Sequence, residues 1–156
     1  MPRLTLATPL GPLRLISDGE ALTAATFDLG DEADGPEGAD AVLDAARRQL
    51  SAYFDGAPVA FSVPVRLGGT PFQERVWAAL REIPHGATLG YGALARRLGM
   101  PQAAQAVGAA NGQNPVAVVV PCHRVVGADG SLVGYAGGLE RKRALLALES
   151  RQRSLF

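Results

Sequence analysis

The spacing of apolar and polar positions changes character along the chain. Residues 3–8, 12–17 and 21–27 are short β-leaning segments, separated by Pro9-Leu10-Gly11-Pro12 and Asp18-Gly19-Glu20. Gly, Pro and Asp at those points are turn signals, so a small antiparallel sheet is expected. Residues 29–40 are rich in Gly, Asp and Glu and read as a loop. Val42, Leu43, Ala46, Leu50 and Phe54 then fall at helical spacing and predict a helix over 40–54, ended by Gly56-Ala57-Pro58. Gly68-Gly69 marks a lobe boundary.

The second half opens on a helix start. Thr70 is the expected N-cap, Pro71 takes the first helical position, and Gln73 completes a capping box. Phe72, Val76, Trp77 and Leu80 form the apolar stripe, and Ile83-Pro84 stops it. Two short helices are expected at 91–98 and 101–111, with Gly99 as a left-handed cap between them. That is the pattern of a helix-turn-helix. Asn114-Pro115 precedes the apolar run Val116-Ala117-Val118-Val119-Val120, which reads as a strand. A glycine-rich segment, Gly134-Tyr135-Ala136-Gly137-Gly138, leads into a last helix at about 139–149. The expected fold is α+β: a small N-terminal antiparallel-sheet lobe with a helix over 1–67, then a mostly helical lobe with a helix-turn-helix over 68–150. Residues 151–156 read as a loose tail.

The run ends in Pro121-Cys122-His123-Arg124-Val125-Val126, and Cys122 is the only cysteine in the chain. A thiolate is a strong nucleophile, and a neighbouring imidazole favours that form. Neighbours in a strand point opposite ways, so adjacency alone does not pair them; a turn after Pro121 would bring both to one side. A third group normally orients such a histidine, and Asp129, Glu140 and Glu149 are the downstream candidates. The bland alternative is a cysteine buried as a small hydrophobe. Glu149, likewise, is either a solvated helix end or a buried orienting acid.

Composition narrows the classes. One cysteine rules out an internal disulfide, fits a reducing compartment, and leaves too few Cys and His for a structural zinc site. No run nears the ~18 apolar residues of a membrane span, and the N-terminus does not read as a signal peptide, so the protein is expected in the cytoplasm. The net charge is zero but unevenly spread. Residues 1–67 hold five arginines against ten acids, and residues 68–156 hold ten basic residues against five acids. A +5 second half points to an anionic partner or is simply solvated surface.

The second half resembles the O6-alkylguanine-DNA alkyltransferases, which repair DNA by direct reversal. The resemblance rests on Gly-Thr-Pro-Phe-Gln with Val76-Trp77, Ile83-Pro84-His85-Gly86, Gly90-Tyr91-Gly92 and Ala106-Val107-Gly108. It rests further on Asn114-Pro115, Pro121-Cys122-His123-Arg124-Val125-Val126 and Gly134-Tyr135 through Gly137-Gly138-Leu139. The N-terminal half is similar in layout only. The resemblance implies a suicide reaction on duplex DNA carrying O6-alkylguanine, extending to O4-alkylthymine, by a monomer without cofactor or metal. The damaged base is flipped out of the stack to reach the protein. Cys122 would accept the alkyl group, His123 would take its proton through a water, and Glu149 would orient His123. Tyr91 would bond the purine edge and help protonate it as it leaves. Asn114 would brace the turn before Cys122. Backbone carbonyls near Cys122 and Val125 would read the guanine amino group. Tyr135 would line the pocket or sit at the core edge, and Arg124 is structural.

Two positions depart from the family pattern. The DNA-reading helix, with Ala104 on it, carries Gln105 where the family usually has an arginine that replaces the flipped base. No Lys or Arg occurs from Pro101 to Asn114, so phosphate contacts fall to Arg75, Arg96, Arg97 or the Arg141-Lys142-Arg143 cluster. Ala136 stands where many relatives have a serine able to bond the guanine oxygen, which leaves room for bulkier alkyl groups. Two other readings compete: a sensor of the same fold that binds alkylated DNA without repair, and a cysteine hydrolase.

Overall fold

The computed structural model describes residues 2–29, 38, 40–127, 135 and 137–154. The chain divides into two compact units, one of residues 1–67 with 115–119 and one of residues 68–114 with 120–156.

In the first unit, β1 (Arg3–Leu6), β2 (Leu13–Ser17) and β3 (Leu22–Thr26) form a three-stranded antiparallel sheet in that order. The turn signals act as their chemistry requires. Gly11 has φ +113° and donates to the Thr8 carbonyl, and the Asp18 carboxylate accepts from the Glu20 and Ala21 amides at 2.9 Å each. Helix α1 (Ala41–Phe54) is capped by Asp40, which accepts from the Leu43 amide at 2.7 Å. Its buried face, Val42, Leu43, Ala46, Leu50 and Tyr53, packs on the sheet beside Leu13, Leu15 and Leu22. Tyr53 takes an inner position in place of Phe54.

The apolar run 116–120 is not a strand. It makes one isolated parallel bridge, Val116 to Ala25, and then turns, with Val118 at φ +70°. Val116, Val118, Val119 and Val120 are nonetheless all buried. An unbroken apolar run reports burial on all sides, and helix, strand and buried turn satisfy it equally.

In the second unit, α2 (Pro71–Leu80) starts on the expected capping box. The Thr70 hydroxyl accepts from the Gln73 amide at 3.1 Å, and the Gln73 side chain accepts from the Thr70 amide at 2.9 Å. Gly69 is required there because a Cβ would lie 2.4 Å from the Trp77 ring. Two-residue strand β4 (Leu89–Gly90) runs directly into α3 (Tyr91–Arg97) and pairs in parallel with β5 (Val125–Val126). Gly99 closes α3 at φ +73°. Helix α4 (Ala104–Gly112) starts three residues later than expected. Pro101 and Gln102 form a turn, and Ala103 donates back to the Met100 carbonyl at 2.9 Å. Trp77 Nε1 donates to the Ala110 carbonyl at 2.8 Å and ties α2 to α4. Helix α5 (Leu139–Ser154) continues past Glu149, so residues 151–154 are helical rather than a loose tail. No helix among the described residues is long and apolar enough to cross a membrane.

Candidate active site

Cys122, His123 and Arg124 form one turn of 3₁₀ helix, entered from Pro121 and left into β5. With three residues per turn, successive side chains diverge by about 120° rather than opposing each other. The turn therefore does what a strand would not: the thiol and the imidazole leave the backbone from one short loop. Cys122 is 6% exposed and His123 fully buried.

The turn is held from two sides. Asn114 Nδ2 donates to the Val120 carbonyl at 2.8 Å, and Asn111 Nδ2 donates to the Cys122 carbonyl at 3.3 Å. Burial pushes the Cys122 thiol above its ordinary range, against the Asn114 amide and the Lys142 charge. The resting sulfur is thus a thiol, and its chemistry needs a base.

Glu149 is the acid that meets His123. Of the three candidates, Glu140 is exposed and Asp129 lies outside the described residues, whereas Glu149 is 1% exposed. Its carboxylate lies 2.7 Å from His123 Nε2 and accepts from Arg124 Nε at 2.9 Å and Nη2 at 3.0 Å. Arg124 Nη1 donates to the Ile83 carbonyl at 2.7 Å, so this guanidinium is a buried strut, as expected. Burial works to raise the Glu149 carboxyl, but bonds and charge from His123 and Arg124 hold it well below the carboxylate range. His123 is pushed down by burial, which outweighs the pull of Glu149, and so it is neutral. A carboxylate only accepts, so Nε2 must carry the hydrogen. The lone pair then sits on Nδ1, which is buried without a hydrogen bond among the described residues. A neutral imidazole oriented in this way can act as a general base.

Tyr91 reaches the same region through the β4–β5 pairing: Gly90 pairs with Val126, and Tyr91 is the next residue. Its ring rests on Gly108, where a Cβ would stand 3.4 Å from two ring carbons. Burial raises the phenol, and a hydrogen bond from the Asn111 amide opposes this. A surface depression of about 380 Å³ is lined by Tyr91, Ala104, Gln105 and Gly108, which brings together three residues expected to face substrate. The Tyr135 hydroxyl is buried without a partner among the described residues. Ala136 lies outside the described residues.

Two residues at the site were not anticipated. Lys142 is not a phosphate contact. It is buried, and its Nζ donates to the Val125 carbonyl at 2.7 Å. The available signal was spacing: Lys142, Leu145 and Glu149 occupy one stripe of α5, and all three are buried. Asn111 is 2% exposed, near the end of α4. The described residues hold no cluster of three or more His, Cys, Asp or Glu placed to bind a metal ion.

Two family models cover nearly the whole chain. Residues 71–151 match the DNA-binding domain of 6-O-methylguanine DNA methyltransferase, and residues 3–67 match its ribonuclease-like domain. The chain belongs to the 6-O-methylguanine DNA methyltransferase family. It is 48% identical over 150 residues to a Mycobacterium tuberculosis methylated-DNA--protein-cysteine methyltransferase, covering 93% of this chain and 90% of that one. The solved structure of the M. tuberculosis OGT in complex with DNA superposes with a TM-score of 0.89 at 46% identity, covering 97% of this chain and 94% of the other. A Methanococcus jannaschii O6-methylguanine DNA methyltransferase superposes with a TM-score of 0.70 at 28% identity, covering 94% and 93%. The α+β reading, with a sheet-and-helix part followed by a mostly helical part, agrees with these structures.

For this family member the buried triad has a consequence for stability. His123 sits below its ordinary 6.5 and Glu149 below its ordinary 4.5 when folded. In each case the unfolded chain binds the proton first on acidification, so stability is full above about 6.5 and declines as pH falls. Urea midpoints should drop from pH 8 to pH 5 and more steeply below pH 4.5, and His123→Gln should flatten the upper part of the curve. An upper limb equally steep in His123→Gln contradicts the assignment of a buried neutral His123.

Proposed function

We propose that this protein repairs DNA by direct reversal: Cys122 irreversibly takes the alkyl group from O6 of guanine in duplex DNA. The observation that carries this is the lone buried thiol on the same turn as a neutral His123, whose tautomer Glu149 dictates. The damaged guanine leaves the stack, since the O6 substituent is out of reach inside the duplex. His123 Nδ1 takes the Cys122 proton through a water. The sulfur attacks the alkyl carbon, the S–C bond forms, and the C–O6 bond breaks with its electron pair going to the purine. The Tyr91 hydroxyl donates to the purine as negative charge develops there, where a hydrogen-bond donor lowers the barrier most. Asn114 braces the turn. The Cys122 and Val125 carbonyls face the guanine amino group; the first also accepts from Asn111 Nδ2 and the Val125 amide, and the second from Lys142 Nζ. Tyr135 borders the alkyl group.

A thioether has no leaving path, so each molecule acts once. Acceptor, base and orienting acid come from one chain, so a monomer without cofactor suffices. The same step serves O4-alkylthymine. A cysteine that must stay reduced fits the cytoplasm. Every residue given a role lies within 68–150; residues 1–67 contribute no reacting side chain.

An oligonucleotide carrying one O6-methylguanine tests this reading. Restored guanine should plateau at one equivalent of protein. Tight binding without restoration favours the sensor, and restoration beyond one equivalent favours a hydrolase.

Helix α4 is the DNA-reading element, and its Gln105 lines the depression beside Tyr91. Small residues such as Ala104 and Gly108 allow close approach in a narrow minor groove. Gln105 lacks the charge and the planar guanidinium that would replace the flipped base. Gln105→Arg should therefore tighten duplex binding and speed single-turnover transfer severalfold, at roughly 1 kcal/mol for one added DNA contact. If neither quantity rises, Gln105 does not limit base presentation.

A further inference from the structure

Asn111 is an amide buried to 2% exposure in the last turn of α4, beside the buried Val107 and Ala110. Its contact with the Cys122 carbonyl at 3.3 Å settles which way the amide points, because an oxygen facing a carbonyl would repel it. Nδ2 therefore faces Cys122. That nitrogen carries two hydrogens. One goes to the Cys122 carbonyl and the other is left for a second acceptor, and the amide works to lower the Tyr91 phenol against the effect of burial. Oδ1 is left buried without a partner among the described residues. Gly108, one turn earlier on α4, lets the Tyr91 ring lie against the helix and so within reach of that amide.

We infer that Asn111 is a positioning residue for alkyl transfer: its Nδ2 holds the Cys122 carbonyl with one hydrogen and the Tyr91 oxygen with the other. A Tyr91 oxygen that accepts from Asn111 keeps its own hydrogen free to donate elsewhere. That hydrogen is directed to the departing purine. The inference rests on the transfer reaction proposed above. Its proton balance closes. The thiol proton passes to His123, the S–C bond forms as the C–O6 bond breaks, and the purine takes the electron pair. The Tyr91 proton neutralises the purine, and the proton from His123 is returned to the phenolate through solvent. An amide that donates to the phenol also stabilises it while its proton is shared.

The test is a double-mutant cycle. Single-turnover transfer from O6-methylguanine DNA is measured for the wild type, Asn111→Leu, Tyr91→Phe and the double variant, with duplex affinity and melting temperature alongside. Asn111→Met is carried in parallel and decides the question if the leucine variant does not fold. The expected result is a rate about tenfold lower for either Asn111 variant, with DNA affinity unchanged, and no further loss when Tyr91 is already Phe. Equal slowing in both backgrounds, or no slowing at all, overturns the inference. Failure of the wild type to transfer an alkyl group would instead overturn the underlying reaction.

Discussion

Cys122→Ala abolishes alkyl transfer and leaves DNA binding close to that of the wild type. No other side chain takes over, because Cys122 is the only thiol in the chain and oxygen or nitrogen nucleophiles attack saturated carbon far less readily. Binding is spared because the sulfur is buried and the turn around it is held by backbone carbonyls, not by the side chain. The substitution removes one atom from a packed interior, a cost of about 1 kcal/mol, which a folded domain absorbs. Transfer and gel-shift assays on one methylated duplex read both halves. Residual transfer by the alanine variant would move the acceptor elsewhere. Lost binding would mean that the thiol shapes the DNA-facing surface.

Glu149→Gln produces the second large effect, on stability and rate together. The carboxylate takes three hydrogen bonds from two buried partners. Removing its charge leaves the Arg124 guanidinium buried beside a neutral amide, a loss of roughly 3–5 kcal/mol. For a chain of this size that is a fall of about 10 °C in melting temperature. The rate falls for a separate reason. Gln can present its NH₂ to His123 Nε2, which shifts the imidazole hydrogen to Nδ1 and removes the base. A factor of about 10² or more follows, the usual contribution of general-base catalysis. Transfer measured well below the new melting temperature separates the two effects. A variant that melts early but transfers normally would leave Glu149 a structural acid only.

What could be read from residues alone follows the range of the interactions. The capping box at Thr70 and Gln73, the Asp40 cap and the Gly99 stop are contacts within one helical turn, and each stands where local chemistry puts it. The β4–β5 pairing is two residues long and joins segments about 36 positions apart, so no local pattern announces it, yet it sets Tyr91 beside the Cys122 turn. The run 116–120 misleads because continuous burial carries no period. At the site, Pro121-Cys122-His123-Arg124 announces the chemistry, but the 3₁₀ turn that orients it does not follow from the residue types. Lys142 hides among Arg141 and Arg143, which suggest surface; only its stripe with Leu145 and Glu149 argues for the interior. Asn111 has no sequence signal of its own: α4 also carries Gln105, and the residue types do not tell which of the two is buried.

In the proposed reaction Cys122 itself becomes alkylated. Incubation with excess O6-methylguanine duplex, followed by proteolysis and mass spectrometry, measures this directly. A single added methyl group per protein is expected, carried as S-methyl on Cys122, with an equal amount of guanine restored in the DNA. Restored guanine with an unmodified Cys122, or a methyl group on any other residue, would contradict it.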